Sequence, residues 1–130
     1  ELYTKAYSRL SGLKLSGDDK QLYNKLSVLA SVSGKYDAYK SFSDSGYVTM
    51  AADSLVCAAG RCAVNADNAK EYGCELQLEQ LKNIISDTLS SQYGLSYDDA
   101  IALYNIDDRD DYTLALTQKL NELGIKEETK

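Results

Sequence analysis

The chain has no histidine, no proline and no tryptophan, and only three cysteines and one methionine among its 130 residues. Each shortage removes a class of chemistry. Without histidine, neither a Ser-His-Asp nor a Cys-His nucleophile can be assembled. A zinc site of the usual kind needs three or four Cys and His ligands, and Cys57, Cys62 and Cys74 contain no CxxC spacing. Their odd number also rules out a complete disulfide framework. Positions 57 and 62 lie well round a helix from one another, a poor placement for a bridge, so all three read as small apolar core residues. No run approaches the length of a membrane-spanning helix, and no charged-then-apolar leader opens the chain. The first residue is Glu1 rather than Met. A piece of a longer protein is therefore expected, from which an anchor or leader could be missing.

Basic residues are also scarce, 14 Lys and Arg against 20 Asp and Glu for a formal charge of −6. Nucleic-acid binding needs clustered Lys and Arg, and there is no such cluster. The imbalance grows along the chain: residues 1–46 hold seven bases and five acids, 47–95 three and six, and 96–130 four and nine. Gly12 and Gly17 have the outer spacing of a phosphate loop, but Asp18 and Asp19 follow where Lys and Ser or Thr are needed, and would repel phosphate. Asp107, Asp108, Asp110 and Asp111 lack the alternation, central Gly and terminal Glu of an EF-hand. They suit a helix start instead. Asp98 and Asp99 are adjacent, so on a helix they point apart, and nothing places a further acid opposite them for hydrolysis.

What is present is helical periodicity from end to end, with 44% hydrophobic residues and no sustained strand alternation. The pattern predicts a single all-α domain over residues 1–130, with six to eight helices packed as antiparallel hairpins, in an α-solenoid or an irregular bundle. Gly residues and Ser or Asp caps must mark the helix ends. A first helix over 2–11 stops at Gly12. Ser16 to Asp19 has the form of a capping box and opens a helix over 17–32, with Leu22, Leu26 and Leu29 buried and Ser33-Gly34 as its end. A third, over 35–44, carries the aromatic stripe Tyr36, Tyr39 and Phe42, and Gly46 closes it.

Residues 47–64 contain only two charges, Asp53 and Arg61. A helix apolar on nearly every side must be covered on nearly every side, so this one, Tyr47 included, is expected at the centre. Its alanines and Gly60 permit close approach by neighbours. A turn over 65–68 leads to a short helix ending at Gly73. A long amphipathic helix over 75–93 turns Leu78, Leu81, Ile85 and Leu89 inward and Glu79, Lys82 and Asp87 outward, with Gly94 as its cap. Ser96 to Asp99 repeats the capping-box form before Ala100, Ile101 and Tyr104. The last helix has Tyr112, Leu116, Leu120 and Leu123 on its inner stripe and Gly124 at its end, and the tail over 126–130 is expected to fray.

Phe42, Gly46, Ala51, Leu55 and Ala58 have a spacing that resembles a tetratricopeptide-type helical hairpin: an aromatic, a turn glycine, then a small, a large and a small residue. Lys35, Tyr39 and Ala63 depart from that pattern where the family has an aromatic, a small residue and proline. Gly94 and residues 97–104 echo it with one insertion. The resemblance implies stacked hairpins and a peptide- or protein-binding role. Eleven tyrosines against one phenylalanine fit both a helical core whose hydroxyls reach partners and a binding surface.

The expected function is thus a non-catalytic interaction or scaffold domain that binds a peptide or protein between hairpins, with Tyr36, Tyr39 and Phe42 lining the site. No cofactor, metal, nucleic acid or direct membrane insertion is expected. The alternatives are a structural spacer or oligomerisation module of a larger, possibly anchored protein, and a small-molecule sensor or enzyme domain.

Overall fold

The computed structural model describes residues 2–10 and 17–124. Among them the chain forms seven helices: α1 (Leu2–Leu10), α2 (Gly17–Asp44), α3 (Val48–Val64), α4 (Ala66–Tyr72), α5 (Glu75–Tyr93), α6 (Tyr97–Tyr104) and α7 (Arg109–Glu122). The described residues include no strand. The expected stop at Gly12, the opening of the capping box at Ser16 and the frayed tail lie outside the described residues.

Helices α2 and α3 form an antiparallel hairpin closed at Gly46, whose φ of 81° is the left-handed conformation that only glycine adopts without strain. Arg61 and Ser31, equally distant from Gly46 along the chain, meet across it: the guanidinium donates to the Ser31 carbonyl at 3.1 Å. As expected, α3 is the centre, packing against α2, α4, α5, α6 and α7. Its alanines at 51, 52, 58 and 59 and its Leu55 and Val56 are all buried. The two charges of α3 both tie it to neighbours, Arg61 to α2 and Asp53 to the Tyr112 hydroxyl of α7. Tyr47 differs from expectation: it precedes the helix and is 47% exposed.

The Ser33-Gly34 break does not occur, because α2 runs through it as one helix of 28 residues. The buried row Val28, Val32 and Tyr39, with half-buried Tyr36 between them, continues across the glycine without a change of phase. A mid-helix Gly costs roughly 0.5–1 kcal/mol relative to Ala. At Gly34 an added Cβ would meet Thr4 Cγ2 of α1 in ordinary van der Waals contact, at 3.4 Å, so the packing there does not require glycine. The paired rings of Tyr7 and Tyr23, 5.0 Å apart with hydroxyls at 3.0 Å, fasten α1 to α2 a second time. Leu22 is another correction, exposed rather than buried, while Leu29 is in the core.

Ser33 is buried, and its Oγ has no hydrogen-bond partner. An unpaired buried hydroxyl is costly, and alanine is the better helix former. Ser33→Ala is therefore expected to raise the unfolding free energy by about 1 kcal/mol. Urea denaturation checks it, and a loss of stability would mean that the hydroxyl is paired in solution.

Further along, the expected turn over 65–68 shrinks to one residue. The Asn65 amide donates to the Arg61 carbonyl at 2.8 Å and its Oδ1 accepts from Asn68 at 3.2 Å, so α3 ends and α4 begins almost at once. Gly73 and Gly94 end α4 and α5 in left-handed conformations, as their positions implied. Leu78, Ile85 and Leu89 face the core, with Leu81 half-buried beside them. Tyr112, Leu116 and Leu120 are buried on α7, whereas Leu123 lies past the helix end and is 38% exposed.

The capping box at Ser96 is formed in both directions: Ser96 Oγ accepts from the Asp99 amide at 3.0 Å, and the Ser96 amide donates to Asp99 Oδ2 at 3.2 Å. These bonds hold the Asp99 carboxyl below its ordinary pKa. Its contribution is then present above the unfolded carboxylate pKa of about 3.9 and is lost as pH falls through the lowered value. Stability curves of the native chain and of Asp99→Asn should run parallel near neutrality and converge in acid. Curves parallel throughout would dismiss the linkage.

Candidate functional site

Tyr36, Tyr39 and Phe42 lie where α2 meets the rest of the bundle. Tyr39 is only 6% exposed, with its ring 5.6 Å from Tyr36 and edge-on to Tyr93 of α5 at 6.4 Å. The Tyr36 hydroxyl is 3.2 Å from Thr88 Oγ1 on α5. Phe42, half-buried, stands edge-on to Tyr47 at 6.5 Å. The stripe is thus engaged in packing, and only partial edges of Tyr36 and Phe42 face outward.

A groove of about 340 Å³ opens elsewhere, where α3, α4, α5 and α6 converge. The sharp turns at Asn65 and Gly73 lay α4 against α2 and α5, with the Cys74 amide donating to the Ala69 carbonyl at 2.9 Å. The floor is apolar and buried, formed by Cys62, Ala69 and Leu78. Alanine at 63 and 66 leaves the space that larger side chains would fill. Charges stand on the rim. Lys70 and Glu75 approach to 3.9 Å with both side chains mostly exposed, a weak pair. Lys82 sits 5.0 Å from the centroid of the Tyr97 ring, in cation–π range. Tyr97 itself spans back to α3, its hydroxyl donating to the Ala59 carbonyl at 3.2 Å.

Two ionisable groups of the groove, Cys62 and Tyr97, are held in their neutral forms. Burial pushes the Cys62 thiol up to about 12, opposed by Lys82 and reinforced by Glu79. Burial likewise raises Tyr97 to about 12, with Cys62 and Glu79 adding to the effect. Both groups stay protonated and neutral, so the groove offers apolar surface and rim charges.

A smaller cavity of about 140 Å³ is lined by Asp53, Cys57, Tyr104, Arg109 and Tyr112. It gathers polar groups. Burial, then Asp53, raises the Cys57 thiol. Burial and the hydrogen bond to Asp53 hold Tyr112 far above the ordinary tyrosine value. Asp53 is engaged by Tyr112 and, at 3.9 Å, by the Cys57 thiol. The cluster is a clamp between α3 and α7.

Cys57, Cys62 and Cys74 are free, and among the described residues no group of three or more His, Cys, Asp or Glu could hold a metal ion. Among those residues no helix is long and apolar enough to cross a membrane. Residue-by-residue reading missed the groove because it is assembled from four helices. Its sequence trace is the spacing Ala63, Ala66, Ala69, interrupted by a turn, and Lys82, expected outward, is half-buried over Tyr97. No protein-family model, curated protein or solved structure matches the chain.

Proposed function

We propose that the domain is a non-catalytic interaction module that binds a segment of a peptide or protein in the groove between α3, α4, α5 and α6. The observation that carries this reading is the groove itself: about 340 Å³, with a buried Cys62–Ala69–Leu78 floor and a charged rim. Such a volume accommodates one or two side chains of a partner rather than a whole folded surface. Anchor residues that fill a desolvated pocket supply most of the affinity of such an interface, while rim charges set orientation. The tetratricopeptide-like spacing of residues 42–58 points to the same class of function, and α3, which carries its Ala51, Leu55 and Ala58 positions, also supplies Cys62.

The test is titration of isotope-labelled protein with short synthetic peptides, followed by amide chemical shifts. Binding should perturb residues of the groove, and Ala66→Trp, at an exposed lining position, should abolish it while leaving helical content and melting temperature unchanged. Binding that ignores a filled groove would overturn the reading.

A further inference from the structure

Eleven tyrosines stand against one phenylalanine, and several of their hydroxyls bond to groups of another kind: Tyr36 to Thr88, Tyr97 to the Ala59 carbonyl and Tyr112 to Asp53. Tyr7 and Tyr23 differ, because their hydroxyls meet each other. Tyr23 donates to Tyr7 at 3.0 Å, from a position sixteen residues further along the chain. Their ring centroids are 5.0 Å apart and the ring planes are tilted by 32°. Tyr36 and Tyr39, at 5.6 Å, sit one turn apart on α2, and the Tyr36 hydroxyl is turned to α5. Tyr39 and Tyr93, at 6.4 Å, meet edge-on with both rings buried. Tyr7 and Tyr23 are only half-buried, so a reagent in solution can reach them. They also join α1 to α2, the helix on which α1 chiefly packs. A tyrosine that loses the hydrogen atom of its hydroxyl spreads the unpaired electron over the oxygen and the ring carbons ortho and para to it. The side chain blocks the para carbon, so two such rings couple through ortho carbons. These flank the carbon that bears the hydroxyl, and turning a ring over exchanges one for the other. Two hydroxyls in contact therefore bring the coupling carbons side by side.

We propose that Tyr7 and Tyr23 form a site of oxidative cross-linking, at which hydrogen peroxide, acting through a haem peroxidase, joins the two rings by an ortho–ortho carbon bond and fastens α1 covalently to α2. Each hydroxyl gives up one hydrogen atom and the two radicals combine into one carbon–carbon bond. The hydrogens on the joined carbons then move to the oxygens and restore both phenols. The two hydrogen atoms removed reduce one peroxide, whose O–O bond breaks, to two molecules of water. Contact between the hydroxyls supplies a proximity that separate tyrosines reach only by collision. The new bond closes a covalent ring through residues 7–23 and restricts α1 when it leaves α2, as a disulfide would.

The test treats the full chain with hydrogen peroxide and a haem peroxidase, at a dilution that suppresses coupling between molecules. A monomer lighter by two hydrogen atoms, with the fluorescence of dityrosine, is expected. Trypsin should release from it residues 6–9 joined to residues 21–25, two peptides with one tyrosine each. Tyr7→Phe and Tyr23→Phe keep the ring and remove only the hydroxyl, and each should yield about tenfold less monomeric dityrosine than the native chain. Tyr36→Phe should yield as much as the native chain. In the cross-linked monomer the amide hydrogens of α1 should exchange more slowly than before treatment. No coupling, coupling mapped to other tyrosines, coupling only between molecules, or a monomer that gains oxygen at Met50 without losing hydrogen would each overturn the assignment of the site. A cross-link that leaves exchange in α1 unchanged would overturn its fastening role.

Discussion

Gly60→Ala is expected to destabilise the fold by about 2 kcal/mol, although alanine is the stronger helix former by roughly 1 kcal/mol. Gly60 is buried in the middle of the central helix, and the ring of Tyr104 from α6 lies directly on it. A Cβ at Gly60 would fall 2.1 Å from Tyr104 Cγ and 2.2 and 2.3 Å from its ring neighbours. Cγ is the root of the ring, so no small rotation relieves the overlap. Either α6 moves away from α3 or Tyr104 swings outward, and each route gives up packing. The effect should reverse when the ring is removed: in a Tyr104→Ala background, Gly60→Ala no longer meets an obstacle and gains only helix propensity. Urea denaturation of the two single variants and the double variant therefore yields a coupling with a change of sign. Additive losses would mean that α6 does not sit on Gly60.

That close approach illustrates what was legible in the sequence. A run of small residues with one glycine announces that something comes near, and the scarcity of charge over 47–64 marks a covered helix. Neither says which neighbour approaches, since Tyr104 is distant in sequence from Gly60. Helix ends were legible wherever their signals were local: Ser96 and Asp99 form their reciprocal cap, Asp108 caps α7, and Gly46, Gly73, Gly94 and Gly124 all adopt positive φ. Gly34 was misread because a glycine inside a helix and a glycine after one look alike until the phase of the flanking apolar residues is followed through. The row from Val28 to Tyr39 keeps its phase. The abundance of tyrosine proved legible only in part. Hydroxyls of Tyr7, Tyr23, Tyr36, Tyr97 and Tyr112 find intramolecular partners, which favours packing over display, but the partners come from other helices. The groove was least legible, because its floor, wall and rim lie on four helices and a single helical wheel shows one face at a time.

The largest single loss is expected from Leu55→Ala, about 3–4 kcal/mol, a substantial part of the roughly 5–15 kcal/mol that holds an ordinary domain together. Leucine and alanine differ little in helix propensity, so the change reports packing alone. Leu55 is 0% exposed on the one helix that packs against five others, α2, α4, α5, α6 and α7. Truncation there leaves a void that no single neighbour can fill without leaving the rest, and the residual cavity adds its cost to the lost transfer energy. Leu116 is almost as buried, but it lies on α7, whose main contacts among the described residues are with α3 and α6, so that it can settle inward. Its truncation is expected to cost nearer 2 kcal/mol. Met50, on the same helix as Leu55 but 48% exposed, should change stability by less than about 0.5 kcal/mol when replaced by alanine. The order Leu55, Leu116, Met50, measured by chemical denaturation, is the signature of a bundle organised round α3. A loss at Leu116 equal to that at Leu55 would shift the centre away from this helix. Cys62 follows Leu55 by two helical turns on the same face of α3, so the side chain that anchors the bundle and the thiol that floors the groove belong to one buried row. On the proposal that the groove binds a peptide, affinity in a Leu55→Ala chain that stays folded should therefore fall only as far as that row loosens, a smaller change than filling the groove at Ala66 produces.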